Sequence, residues 1–207
     1  MPKKSNKTKE RIIHSSWELF QKYGYDNTTL NDILEASKTS RGGFYHHFKG
    51  KEDLLFSLAY YFDNDYSDWL EKIDPEMNSV DKLCEFDIFV YKNLEESKFR
   101  PFLQQLYGYE VMTDGTRYIL AENRPYFQLI LSLIKEGRKR GQITEKSSAL
   151  SLARRFAAIQ RGMTYNWLLE DCRYSLTDEA HGISTIYLMV QQVLGVVLRD
   201  PVLRDDS

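Results

Sequence analysis

Three features of the 207-residue sequence predict an all-α fold. Apolar residues recur at three- and four-residue spacing through nearly every stretch, the spacing that lines one face of a helix. No run alternates apolar and polar residues for long enough to make a strand, and there is no internal repeat or low-complexity linker. Glycine, proline and Asp/Asn signals at Gly24, Asp26-Asn27, Asp74-Pro75, Gly141 and Asp200-Pro201 fall between the periodic stretches, where helices must stop.

Taken in order, the first helix begins at about Thr8, with Ile12, Ile13, Ser16, Leu19, Phe20 and Tyr23 as its stripe, and Gly24 ends it in a left-handed conformation. Residues 1–7, rich in lysine, form an arm ahead of it that either tracks a nucleic-acid backbone or is a disordered terminus. Tyr25 packs back and Asp26-Asn27 turn the chain. Thr29 caps a second helix with Leu30, Ile33 and Leu34 facing inward, and Ser40 caps a third. That third helix carries Gly42 and Gly43, each costing about 1 kcal/mol relative to alanine in a helix interior. Phe44 and Phe48 anchor its inner face, while Arg41, Tyr45, His46, Lys49 and Lys51 project outward. A glycine-smoothed helix start flanked by cations suits close approach to a DNA backbone and its base edges.

Charge is distributed to match. The net charge is −2, yet residues 1–60 carry 10 Lys+Arg against 7 Asp+Glu and the remainder 18 against 23, so only the front of the chain is basic.

The run from Thr28 to Leu55 resembles the helix-turn-helix of the TetR/AcrR family of ligand-responsive transcriptional repressors. The likeness extends through Arg11-Ile12-Ile13, Leu19-Phe20, Gly24-Tyr25, Thr28-Thr29 and Phe44-Tyr45-His46-His47-Phe48-Lys49-Gly50-Lys51-Glu52-Asp53-Leu54-Leu55. It implies an amino-terminal three-helix DNA-binding domain over residues 1–51 and a larger helical ligand-binding and dimerisation domain over residues 52–207. Lys38 stands in the turn where the family often has glycine, which demands an unusual backbone angle. Gly43 stands where many members carry a base-reading side chain, which shifts readout to Arg41 and to DNA shape.

Downstream, Leu54, Leu55, Leu58, Tyr61, Phe62, Tyr66 and Trp69-Leu70 read as one helix of about five turns ending before Asp74-Pro75. Ser79 is placed to cap a helix to about Ser97, with Leu83, Phe86, Phe89, Val90 and Leu94 inward. Pro101 opens a short helix through Tyr109. The pattern over residues 117–140 breaks or kinks at Pro125, and Gly141 ends it. Residues 147–171 and 177–198 form the last two helices, followed by a polar tail.

These readings assign candidate sites. Thr28, Thr29, Ser40, Tyr45, His46, Lys49 and Lys51 are candidate DNA contacts, mainly to phosphates. Arg41 is the candidate base reader, through a bidentate pair with guanine, and Gly42 and Gly43 admit the backbone. Phe62, Tyr66, Phe86, Phe89, Tyr126, Phe127 and Trp167 are candidate ligand contacts, since small ligands bind in apolar space between helices. Phe156, Ile159, Met163, Ile183, Ile186, Tyr187, Val190, Val193, Leu194 and Val197 form a candidate dimer interface, an apolar surface on two helices that a twofold copy can bury.

The expected function is a homodimeric repressor that binds a pseudo-palindromic double-stranded DNA operator and leaves it when a small, largely apolar inducer binds. The alternative is a helical adaptor that keeps the head without ligand response or operator specificity. No enzyme motif is present, neither a Walker loop nor a nucleophile elbow nor a His-Glu-x-x-His run. His14, His46, His47 and His181 lack a metal-ligand spacing, so no metal or cofactor is expected. Cys84 and Cys172 do not make a disulfide framework. No stretch reaches the roughly 20 apolar residues needed to span a bilayer, and the basic amino terminus lacks the apolar run of a signal peptide, so a cytoplasmic protein is expected.

Overall fold

The first helix starts earlier and buries more than its apolar stripe requires. The computed structural model describes residues 3–112, 117–143 and 145–180, and α1 spans Lys3–Tyr23. The basic segment over residues 3–7 is therefore the first turns of α1 rather than a separate arm. Ile12, Ser16 and Phe20 are buried as expected, but so are Ser15 and Trp17, while Tyr23 is exposed. The stripe is wider than one face because α1 packs both on α2 (Leu30–Ala36) and, through Trp17, on Phe99 and Phe102.

Gly24 ends α1 at φ +84°, and its N–H bonds to Phe20 O at 2.8 Å. Thr29 caps α2 in a capping box: its hydroxyl accepts from Asp32 N–H, and Asp32 Oδ2 accepts from the Thr29 N–H at 2.8 Å. The turn out of α2 passes through Lys38 at φ +48°, a left-handed angle that glycine adopts freely and a side chain disfavours, so the turn keeps the angle and Lys38 bears its cost. Ser40 then caps α3 (Arg41–Tyr45) by accepting from Gly43 N–H at 3.1 Å.

The long helix expected after Lys51 is two, α4 (Glu52–Phe56) and α5 (Leu58–Lys72). The interruption falls at Ser57, which is buried. Its hydroxyl accepts from Trp17 Nε1–H at 2.9 Å and donates back to Leu54 O at 2.6 Å. A hydroxyl tied to the preceding turn loosens the regular ladder locally, and apolar periodicity carries no trace of that.

Beyond it lie α6 (Ser79–Glu96), a 3₁₀ turn (Arg100–Phe102), α7 (Leu103–Met112), a second 3₁₀ turn (Tyr118–Leu120), α8 (Pro125–Lys139) and α9 (Ala149–Leu169). No strand occurs among the described residues, and no helix there is long and apolar enough to cross a membrane. The cap of α6 is Asn78, whose Oδ1 accepts from Val80 N–H, and not Ser79, which is buried. Pro125 starts α8 rather than kinking it, as suits a residue with no N–H to place in the first turn. Gly141, at φ +71°, closes it.

The described residues fall into two compact units. Residues up to 61 and 98–120 form the first, so the 1–51 head shares its unit with α4 and α7, which pack together. Residues 62–97 and those from 121 onward form the second, in which α8 packs against both α6 and α9. There the buried Gly137 of α8 faces α6 so closely that an added Cβ would lie 2.9 Å from Ser79 Cβ and 2.7 Å from Ile143 Cδ1. Gly137→Ala is expected to destabilise the chain by about 1 kcal/mol, because crowding of about 1–3 kcal/mol outweighs the propensity gain of about 1 kcal/mol. A raised melting temperature would show that these neighbours yield.

Candidate functional site

Two side chains brace the helix-turn-helix from inside. Arg11 of α1 donates from Nε to Ser37 O at 2.7 Å and so holds the end of α2. Lys51 Nζ donates to Tyr25 O at 2.8 Å and Thr28 O at 2.9 Å, and sits 4.1 Å from the centre of the Tyr25 ring. The Lys51 ammonium thus clamps the loop between α1 and α2, and its donors are turned to the protein rather than to a phosphate. Thr28, expected at a phosphate, also turns inward. It is buried, with its hydroxyl donating to Gly24 O at 2.8 Å, so it supports the loop instead of facing DNA.

The other candidates remain on the outside. Thr29, Ser40, Arg41, Gly42, Tyr45, His46 and Lys49 are all exposed. Space beside Gly42 is open, whereas a Cβ at the half-buried Gly43 would meet Thr39 Cγ2 at 3.0 Å and Ser40 Oγ at 3.3 Å. Gly43 therefore serves the cap of its own helix. Arg41 donates from its guanidinium to Asn31 Oδ1 of α2 at 3.0 Å, a tether across the turn that no spacing rule anticipates. His47 is half-buried, and its pKa is lowered by burial first and then by His46 and Lys9.

In the second unit, Tyr66, Phe86, Phe89 and Tyr126 are brought into ring contact, with Trp69 added to them. The remaining ligand candidates sit otherwise: Phe62 is half-buried, Phe127 is buried, and Trp167 is buried with its indole N–H donating to Tyr174 O at 2.9 Å. Polar groups that apolar periodicity passes over line the same region. Asp63 of α5 holds Arg124 by two bonds of 2.9 Å, and the Arg124 guanidinium lies 5.7 Å from the centre of the Tyr126 ring. Asp87 accepts from Gln160 Nε2 at 2.5 Å, and Gln160 Oε1 accepts from the Tyr126 hydroxyl. Both polar residues lie on the inward stripes: position 87 falls among the buried 83, 86, 90, 91 and 94, and position 160 among 153, 156, 157, 164 and 167. A polar residue at such a position is the signal that could have revealed them.

Of the dimer candidates on α9, Phe156 is buried within the chain, and Ile159 and Met163 are half-buried. The exposed stripe of α9 is instead Ala158, Gly162, Tyr165 and Leu169. Ile183, Ile186, Tyr187, Val190, Val193, Leu194 and Val197 lie outside the described residues. No group of three or more potential metal ligands occurs among the described residues.

The family model described as "Bacterial regulatory proteins, tetR family" matches residues 12–58, the segment that contains α2, α3 and the Lys51 clamp. Residues 12–58 thus carry the amino-terminal segment of TetR-family regulators. Among curated relatives, an uncharacterized HTH-type transcriptional regulator of Bacillus subtilis, YerO, is 47% identical over 57 residues, covering 28% of this chain and 20% of that protein. The biofilm operon negative transcriptional regulator IcaR of Staphylococcus epidermidis is 25% identical over 114 residues, covering 55% of this chain and 62% of that one. The match thus spans from a fifth to about three-fifths of these relatives' lengths.

The fold likeness runs further. The TetR-family repressor FadR of Thermus thermophilus, solved with lauroyl-CoA, superposes with a TM-score of 0.73 at 21% identity, covering 95% of this chain and 99% of that one. FadR of Bacillus subtilis, solved with stearoyl-CoA, gives 0.64 at 19% identity, covering 86% and 96%. At these identities the likeness concerns the fold, an amino-terminal helix-turn-helix followed by a larger helical body.

Proposed function

We propose that this chain is a homodimeric transcriptional repressor that binds a pseudo-palindromic operator in double-stranded DNA and is released from it by a small, largely apolar inducer. The observation that carries the reading is the exposed start of α3. There Arg41 stands beside an open Gly42, within the segment the family model matches, on a helix capped by Ser40 and followed by Lys51, which clamps the loop ahead of α2. A guanidinium near the beginning of a recognition helix forms a bidentate pair with guanine, and the exposed Ser40, Tyr45, His46 and Lys49 supply donors for phosphates.

Dimerisation is supported by the exposed stripe of Ala158, Gly162, Tyr165 and Leu169 on α9, an apolar face of the kind a twofold mate buries. A dimer sets two recognition helices about 34–36 Å apart, one turn of DNA. The aromatic cluster around Tyr66 and Phe86 supports an inducer with a largely apolar body. Release follows if the inducer favours a body conformation in which the two heads no longer match successive grooves.

Arg41→Ala is expected to weaken specific binding by about 1–3 kcal/mol while leaving non-specific binding nearly unchanged. Fluorescence anisotropy with DNA from upstream of the protein's own gene, and with a scrambled duplex, at fixed salt, checks this. Equal operator affinity for mutant and parent would remove Arg41 from base reading. Equal binding of both duplexes by the parent chain, or of neither, would favour the adaptor alternative.

A further inference from the structure

Among the described residues, the buried charges of the second unit are balanced except in one place. Asp63 is matched by Arg124, and Lys82 by Glu136 at 2.9 Å. Asp87, only 4% exposed, has no cation beside it among the described residues. Its Oδ1 accepts from Gln160, and Oδ2 has no hydrogen-bond partner among those residues. Burial pushes its carboxyl up to about 7, against the opposing pull of the Gln160 bond.

An acid in this setting is costly to the fold, since a buried carboxylate with one amide donor and no cation forfeits most of its hydration. Asparagine or leucine would fill the position at lower cost. What an acid provides that neither of those does is an attractive site for a positive charge. The surroundings suit the rest of such a molecule: Phe86 precedes Asp87 in the chain, Tyr126 reaches its partner Gln160, and Tyr66 makes ring contacts with both aromatics. Aromatic faces attract an ammonium group as well as apolar atoms. A carboxylate ligand finds the opposite, because Arg124 is already held at both ends by Asp63 and the unpaired charge is negative.

We propose that Asp87 anchors the inducer and that the inducer carries a protonated amine, held at Asp87 Oδ2, on an apolar or aromatic body lying against Tyr66, Phe86 and Tyr126. This rests on the regulator reading above and narrows its ligand class from apolar compounds to amphipathic amines.

The test is isothermal titration of the full chain at neutral pH with three probes that share one ring system: naphthylethylamine, naphthylethanol and naphthylacetate. The amine is expected to bind roughly tenfold or more tightly than the alcohol, as a charge-assisted bond implies, and the carboxylate most weakly. Asp87→Asn keeps a carbonyl for Gln160 and removes the charge, and is expected to bring amine and alcohol to equal affinity. An amine that binds no better than the alcohol, a carboxylate that binds best, no binding by any probe, or an amine preference that survives Asp87→Asn each overturns the proposal. The ranking on the parent chain needs no substitution and decides the matter even if the variant misfolds. Failure here with selective operator binding intact defeats only the ligand class, whereas failure of operator binding defeats the regulator reading itself.

Discussion

Asp63→Asn is expected to destabilise the chain by about 3–5 kcal/mol, measured by urea denaturation followed by far-ultraviolet circular dichroism. The substitution keeps the shape of the side chain but strands the Arg124 guanidinium, whose side chain is 14% exposed, opposite a neutral amide. The damage has a structural address. Arg124 is the cap residue of α8, immediately before Pro125, and no side-chain cap bond of its own holds that helix start, so the tie to Asp63 on α5 orients the helix that carries Tyr126. Removing both partners together is a different experiment. In Asp63→Leu with Arg124→Met, no charge is left uncompensated, and most of the lost stability is expected to return, because a buried pair recovers little beyond its own desolvation. A double variant as unstable as the single one would mean that geometry at the start of α8, and not charge, sets the effect.

Trp17→Ala is expected to be comparably severe, at about 3–5 kcal/mol. The indole is 2% exposed and meets Phe20, Phe99 and Phe102 edge-on at centroid distances of 5.3, 5.0 and 5.5 Å. Its removal leaves a cavity among rings belonging to α1 and to the 98–102 segment, which are far apart in sequence and joined here within one unit. Trp17→Phe separates the packing from the hydrogen bond to Ser57. It retains an aromatic body and gives up the N–H, and a loss of about 1 kcal/mol is expected, since Ser57 still donates to Leu54 O. Guanidinium denaturation of the three chains side by side reads both effects. A loss under 1 kcal/mol for Trp17→Ala would show that α1 keeps its place without this cluster.

The outward half of the candidate DNA face was legible in sequence because its determinants are local. Ser40 and Thr29 act on N–H groups three residues away, and Arg41, Gly42, Tyr45, His46 and Lys49 are exposed as the helical spacing required. Lys51 and Thr28 were misread because a cation or hydroxyl near a helix start looks the same whether it turns outward or inward. Their true partners, carbonyls at Tyr25, Thr28 and Gly24, are set by how the loop after α1 folds back. The aromatic cluster was half legible. Aromatics at helical spacing identify inward faces, but they do not say which faces meet, so nothing in the spacing joins Trp69 to Phe86 and Phe89. On α9 the same ambiguity hides that Phe156 is buried within the chain while Tyr165 and Leu169 are exposed.

The sequence by itself determined most of the helices, the caps at Thr29 and Ser40 and the stops at Gly24 and Gly141, since these residues act within one turn of their own positions. It also determined that the front of the chain is basic and glycine-smoothed. Only the tertiary structure decided the break at Ser57, the inward clamp of Lys51, the tether from Asn31 to Arg41, and the pairing that leaves Asp87 without a cation while matching Asp63 to Arg124. The bond from Asp63 to Arg124 and the one from Gln160 to Asp87 cross 61 and 73 residues, and no periodicity of 3.6 encodes a partner that far away. Long-range pairing depends on which helix faces which, and that is settled by packing.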